Sequence, residues 1–519
     1  MTDDTAAPGR ASPAPFDPVS VRPAFLGVLV GLALAAASQT IVSTALPSIV
    51  GELGGYGGLS WVVSAYLLSS AVVMPFAGKL SDLHGAARVF RISIVVFAIG
   101  SLLAGLSTSM GMLIVARAVQ GLGGGSIMTV AFIVIARLVP ARERGRYQSK
   151  VASVFAVTSI AGPLVGGFFV DELSWRWAFF TITVLCGVAL VVIRNLPADG
   201  RGSDNGVDVV GAVLIVLVVV CLMLVSAWGG RHYAWNSAVI AALLLTCVVG
   251  TVGFVYWELR VPDPIVPVRL LRRRSVWTAT VLGFFSGIAM FGVIVYAPTY
   301  LQLTLGATAT QSGLLLVPLM GCVLVASTVG GRVMSATGRY RHVAITGSVL
   351  LAAGAGLLTT MGAGTPIAVP SIYVGIVGLG IGATMPVTVV AAQNGVGVEH
   401  LGSVTSITQF TRKIGSTLGV AVLGALFTAN VAGALDDAAA ALPPGTDPDS
   451  LLETPSAVNA LPADLAEIVR GAVADGVTAA FMLAFIVALA SLAVAFCLPD
   501  DELDEVEPAV SDTSVGLAP

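Results

Sequence analysis

The chain has 519 residues, of which 56% are hydrophobic and only 11% charged, with a formal net charge of −3 and a mean hydropathy of +0.93. Soluble globular chains carry about 25% charged residues, so this composition excludes an ordinary soluble domain. Uncharged stretches recur from end to end, each reaching the about 18 residues that cross a hydrocarbon core of roughly 30 Å. They are solidly apolar rather than alternating. Lipid leaves no partner for free backbone, so the expected fold is an all-α integral membrane protein and not a barrel.

In chain order, the opening segment "MTDDTAAPGRASPAPFDPVSVRPA" is acidic and rich in Pro and Ala. It lacks the basic start and short apolar core of a cleaved signal peptide. Residues 1–23 read as a disordered cytosolic tail. Fourteen spans follow, near 24–46, 59–77, 91–109, 111–137, 149–170, 177–194, 209–228, 238–256, 276–298, 311–331, 343–362, 369–391, 404–430 and 476–498. An even count puts both ends on one side. Most of the 26 Lys and Arg residues fall on that side. Only Arg176, Arg231 and Arg470 fall opposite, while Arg117, Arg412 and Lys413 lie within spans. Positive residues stay cytoplasmic, so both termini are expected in the cytosol of a multi-pass inner (cytoplasmic) membrane protein.

Two segments repeat. "GKLSDLHGAAR" (78–88) follows span 2 and "GRVMSATGRYR" (331–341) follows span 10, aligning Gly78, Gly85 and Arg88 with Gly331, Gly338 and Arg341. The expected layout is therefore two six-helix bundles with an inserted pair: bundle 24–195, inserted helices and linkers 196–274, bundle 275–498, and an acidic cytosolic tail 499–519. The second bundle includes a long external loop at 431–475 that carries no evident chemistry. The five cysteines, Cys186, Cys221, Cys247, Cys322 and Cys497, sit in or at the end of apolar runs without metal spacing and read as small hydrophobes.

The candidate functional residues are polar groups inside these spans. Span 1 carries Ser38, Gln39, Thr40, Ser43 and Thr44 and no charge. Gln39 and Ser43 are four apart, as are Thr40 and Thr44, so they form adjacent stripes on one side of the helix. They fit a wet cavity wall, or helix–helix hydrogen bonds worth about 0.6 kcal/mol each. Arg117 lies inside span 4, where a cation costs several kcal/mol unless paired or wetted. Gln120 follows it at i+3, and Gly121, Gly123, Gly124 and Gly125 allow close helix approach. This glycine run sits mid-membrane without Lys-Ser/Thr, so it is not a phosphate loop. In span 5, Gly162 and Gly166 form a small face and Pro163 bends the helix. Trp61, Tyr66, Phe155, Tyr296, Met385, Gln409 and Phe410 suit a promiscuous apolar cavity, although each taken alone also reads as packing. Span 13 adds Arg412 and Lys413. Gly78 and Gly85 permit a tight turn, and Asp82 lies near the start of span 3, where the helix dipole favours an anion. Two repeated bundles around such residues describe a secondary transporter.

The segments "SQTIVSTALPSIVGELGG", "LSWVVSAYLLSSAVVMPFAGKLSD", "ARAVQGLGGG", "VPARERGRYQ", "GPLVGGFFVDELSWRWAFF", "YAPTYLQLTLGATATQSGLLLVP" and "ITQFTRKIGSTLGVAVLGA" occur in this order. Together they resemble the major facilitator superfamily, and within it the fourteen-helix drug/proton antiporter branch. The resemblance covers roughly 24–430. It implies that Asp82 and Arg88 belong to an inner latch between bundles, although Ala86 and Ala87 replace two usual basic residues. It assigns Arg117 to proton handling; the residues of span 13 themselves place at least one of Arg412 and Lys413 at the cavity or an inner gate. It also makes Gly162, Pro163, Gly166 and Gly167 the helix-5 signature of exporters. One departure stands out. The aspartate expected two residues before the span-1 Thr is Ser38, and no span carries a mid-membrane Asp or Glu. A helix-end acid such as Asp82 or a network around Arg117 could carry the proton; the exchanged ion could differ; or the protein could be a uniporter or degenerate relative.

The resulting expectation is an exporter of small, largely apolar organic compounds, monomeric, exchanging protons by alternating access and needing no cofactor or nucleic-acid partner. A dedicated transporter of one metabolite is the alternative. With Arg117 and Arg412 and no buried acid, neutral, zwitterionic or anionic compounds are expected over dicationic dyes. An intramembrane enzyme is disfavoured because His84, His232, His342 and His400 all fall in loops, and no signalling domain suggests a receptor.

Overall fold

A computed structural model describes residues 18–54, 59–196, 208–230, 232–307, 309–314, 316–362, 364–366, 368–394, 396–438 and 463–503. Its helices begin with α1 (Pro18–Leu53), α2 (Leu59–His84), α3 (Ala86–Gly105), α4 (Met110–Leu138), α5 (Ala141–Glu172) and α6 (Trp175–Val192). Then come α7 (Val209–Trp228), α8 (Ala238–Glu258), α9 (Arg274–Leu303), α10 (Ala309–Leu314), α11 (Leu316–Thr337), α12 (Arg341–Leu358) and α13 (Ala368–Gln393). Helices α14 (Leu401–Ala438) and α15 (Ala463–Cys497) complete the described chain. Among the described residues, fourteen helical spans are long and apolar enough to cross a membrane, matching the number expected. Every apolar run is helical because only that geometry satisfies each backbone group within its own segment.

The helices break at small, sharp turns. Gly85 between α2 and α3 has φ +87° and Gly338 between α11 and α12 has φ +68°, a region that residues with a Cβ rarely enter. These are equivalent positions of the internal repeat. Its other shared glycines have a different job. Gly78 of α2 lies against Gly402 and Ser406 of α14, and Gly331 of α11 lies against Gly145 of α5. Each repeat thus supplies one turn glycine and one glycine at a crossing with the distant part of the chain.

Residues from α1–α6, including Phe25, Phe90, Phe97, Ile127 and Cys186, form one apolar core. Tyr300, Leu351, Val377, Leu423 and Phe481 belong to a second. Helices α7 and α8 form a hairpin seated on α2 and α14, where Ile215, Val219 and Phe254 pack with Ala71 and Ile407. The expected loop at 431–475 is partly helical instead: α14 runs on to Ala438 and α15 starts at Ala463. Residues 439–462 lie outside the described chain, as do 1–17 of the tail expected at 1–23 and 504–519 of the tail expected at 499–519; residues 18–23, expected in the first tail, begin α1 instead.

The glycine run of α4 is a packing face. A Cβ on Gly121 or Gly125 would meet backbone of α2, and one on Gly123 would meet the Phe97 backbone of α3. We expect Gly123→Leu to cost more than the about 1–3 kcal/mol of ordinary overpacking, because backbone cannot rotate aside. The monodisperse peak in detergent size-exclusion should be largely lost. Gly111→Ala, which faces open space, should leave it unchanged; equal behaviour of the two would refute the packing role.

Candidate functional site

Two polar centres and one inter-helix clamp emerge. The first centre surrounds Arg117, which is 1% exposed. Its Nη1 donates to Ser38 Oγ at 3.2 Å and to Gln120 Oε1, and its Nε donates to Val62 O at 3.3 Å. The guanidinium lies 4.3 Å over the Tyr66 ring, a favourable cation–π geometry. Gln120 Nε2 then donates to Ser101 Oγ at 2.6 Å, and Tyr66 OH donates to Ala35 O at 3.3 Å. The charge is therefore solvated by a hydroxyl, an amide, a carbonyl and an aromatic face, with no carboxylate among these partners. Ser38, which stands where the resemblance anticipated an acid, serves as a neutral acceptor. Ser38, Tyr66, Arg117 and Gln120, scattered through the sequence, meet here. Ser101 was not foreseen, since a lone serine in an apolar run carries no local signal.

The rest of the polar row in α1 divides. Thr40 Oγ1 donates to Ala37 O and to Thr158 O of α5, and Thr44 Oγ1 donates to Ile41 O. Gly162 lies against Thr40 and Gly166 against Thr44. These threonines thus fill the α1–α5 seam, where the small face of α5 accepts them. This corrects the expectation that placed Thr40 on a cavity wall. Gln39 is partly exposed, while the Ser43 side chain lies outside the described residues. Gly167 faces open space and Pro163 is exposed, so neither belongs to that seam.

Other candidates separate as well. Phe410 packs beside α2 and α7. Tyr296 is buried, donates to Val420 O at 3.4 Å and stacks 5.8 Å from Phe427. Both rings thus pack between helices, Phe410 among side chains of α2 and α7 and Tyr296 against α14. Phe155 packs at the edge of the first core. Trp61 and Met385 remain partly exposed.

The second centre is on α14, where Gln409, Arg412 and Lys413 lie within one turn. Gln409 is 4% exposed, and neither its Oε1 nor Arg412 Nη1 has a hydrogen-bond partner among the described residues. Lys413 Nζ lies 6.0 Å from the Phe291 ring centroid.

The clamp joins distant helices at the end of the molecule where α2, α4, α11 and α13 finish. Asp82 Oδ1 accepts from Gly402 N at 2.8 Å, and Oδ2 accepts from Ser403 N and Ser403 Oγ, both at 2.8 Å. Asp82 is thus an acceptor at the start of α14, where a helix dipole rewards an anion. Asp82, expected near the start of α3, lies instead in the last turn of α2. Arg137 of α4 donates to Asp82 at 3.1 Å, and both side chains are 7% exposed. Arg88, expected in the same latch, is exposed. Arg137 pairs with Asp82 because it ends α4 beside it, a spatial fact with no sequence motif. At the same end, Ser335 Oγ donates to Glu143 at 2.9 Å and Gln148 Nε2 donates to Gln393 at 3.4 Å. At the opposite end, Glu52 accepts from Arg176 and from Trp175 Nε1 at 2.7 Å. The bonds from Arg176 and then Trp175 hold its carboxyl below the ordinary value.

A helical membrane protein with several apolar clusters, a clamp between distant helices and polar groups inside its spans has the build of a transporter. The chain belongs to the Major Facilitator Superfamily, whose family model matches residues 28–420. It is 38% identical over 519 residues to an uncharacterized MFS-type transporter of Mycobacterium tuberculosis, Rv1877, covering 99% of this chain and 75% of that one. It is 36% identical over 413 residues to the multidrug transporter protein MdtP of Bacillus subtilis, covering 79% and 76% of the two chains. Among solved structures, a double-Trp mutant of XylE aligns with a TM-score of 0.63 at 13% identity, covering 94% of this chain and 98% of its own. That last likeness speaks for the fold alone. The protein is a membrane transporter and not an enzyme.

Proposed function

We propose that this transporter exports small, largely apolar organic compounds in exchange for protons, by alternating access between its two six-helix halves. The observation that carries the reading is the clamp. Asp82 ties α2 to α14 through charge-assisted bonds at one end of the molecule, the kind of bistable junction a rocking mechanism breaks and remakes. Relatives named as a multidrug transporter and a multidrug resistance protein support the substrate class. In this reading the clamped end is cytosolic, in accord with the placement of Lys and Arg. Residues 24–195 and 275–498 are the moving halves, 196–274 is an inserted pair, and the transporter acts as a monomer.

Ser38 favours a second reading, uniport, because the Arg117 network holds no carboxylate to carry a proton. One experiment separates the two. In inside-out vesicles, an imposed proton gradient should drive uptake of a fluorescent apolar dye, and an uncoupler should abolish it. Uptake that only equilibrates the dye, indifferent to uncoupler, would replace antiport with uniport.

A further inference from the structure

The two cationic centres of this protein are solvated very differently. Arg117 has a hydroxyl, an amide, a carbonyl and a ring. Arg412 and Lys413 are adjacent cations well inside the span Val398–Val431, and neither forms an ion pair or side-chain hydrogen bond among the described residues. Arg412 Nη1 is sealed from solvent and unpartnered. Membrane-buried cations are costly when left alone, and two in sequence repel each other. Among the described residues the buried acids are engaged elsewhere: Glu258 ends α8 and accepts from Val266 N at 3.2 Å. Asp82 touches α14 at Gly402 and Ser403, which places it about 14 Å below Arg412 along the helix axis at 1.5 Å per residue. It is also committed to Arg137.

The surroundings are shaped as well as charged. Gly287 of α9 lies against the Arg412 backbone and Ser416, and Gly283 lies near Arg412 Cβ. These glycines draw α9 tight against α14 and fix the root of the Arg412 side chain. Phe291 of α9 sits beside Lys413. Gln409, one turn earlier and 4% exposed, adds an amide whose oxygen has no partner, so the amide can turn to offer its N–H groups.

We propose that Gln409, Arg412 and Lys413 form an anion subsite that binds the carboxylate or sulfonate of an apolar organic monoanion, its ring or chain resting along α9. This deepens the export reading by naming a substrate class. A guanidinium with a free face fits a planar carboxylate, and the bound anion supplies the charge that the protein lacks.

The test is equilibrium binding to the purified full chain in uncharged detergent, with 2-naphthoate and the isosteric neutral 2-naphthamide as probes, in dilute buffer free of chloride and of organic anions. Naphthoate should bind at least about tenfold more tightly, as expected for charge-assisted hydrogen bonds. Arg412→Gln and Lys413→Gln should each erase most of that preference, and Lys413→Arg should keep it. Equal binding of the two probes by the wild type would overturn the proposal, as would a preference that survives both Gln substitutions. Complete displacement by chloride would make the occupant an inorganic counter-ion, and displacement by phosphatidylglycerol a lipid headgroup; either result overturns the assignment to an organic substrate. Because binding is read without transport, a failure of proton-driven export leaves this result standing, and the reverse also holds.

Discussion

Arg117→Ala should abolish proton-driven transport, lowering the initial rate in inside-out vesicles by at least about tenfold. The substitution empties the middle of a dry network. Ser38 Oγ, Gln120 Oε1 and Val62 O lose their donor together, and each buried group left unpaired costs about 1–3 kcal/mol. The Tyr66 ring also loses the cation above it. Arg117→Lys keeps the charge but has no planar fork to reach three acceptors at once, so it should recover only a small part of the rate. Ser38→Asp is the informative partner. It places a carboxylate where the hydroxyl now lies 3.2 Å from Nη1, supplying the acid that this chain lacks. It should bring resistance to dicationic dyes that the wild type does not confer. Full proton-dependent efflux by Arg117→Ala would remove Arg117 from the mechanism.

Asp82→Asn should open the clamped end. The change removes the ion pair with Arg137 and the negative charge at the start of α14, while leaving an amide that still accepts from one N–H. Breaking a buried pair costs about 3–5 kcal/mol. A bias of about 3 kcal/mol moves a two-state equilibrium by roughly two orders of magnitude. Nitroxide labels at the exposed Arg88 and Glu399, after replacement of the five free cysteines, should report a longer, broader distance distribution in the variant. Arg137→Gln should shift it the same way, because it leaves Asp82 buried without its cation. Unchanged distances in both variants would mean that glycine packing at Gly78 and Gly331, not charge, holds this end closed.

Much of the architecture was legible in local composition. Long uncharged runs leave the backbone one way to satisfy itself, so the spans and their helical form follow from hydropathy. The repeat was legible too, because Gly85 and Gly338 each meet a backbone angle that other residues resist. Arg117 and Gln120 could be paired from their i+3 spacing alone.

What escaped the linear reading is the choice of partner. Thr40 and Thr44 look like a cavity wall until α5 brings Gly162 and Gly166 against them. Phe410 looks like a substrate contact until α7 and α2 enclose it. Asp82 is bound by groups some 320 positions away in the chain, and Arg137 reaches it from the end of a different helix. Hydropathy is a property of a segment and needs no neighbour, so the sequence by itself determined the membrane class, the helices and their number. Whether a polar side chain faces another helix, an ion or open space depends on which segments the fold sets side by side, and that only the tertiary structure decided.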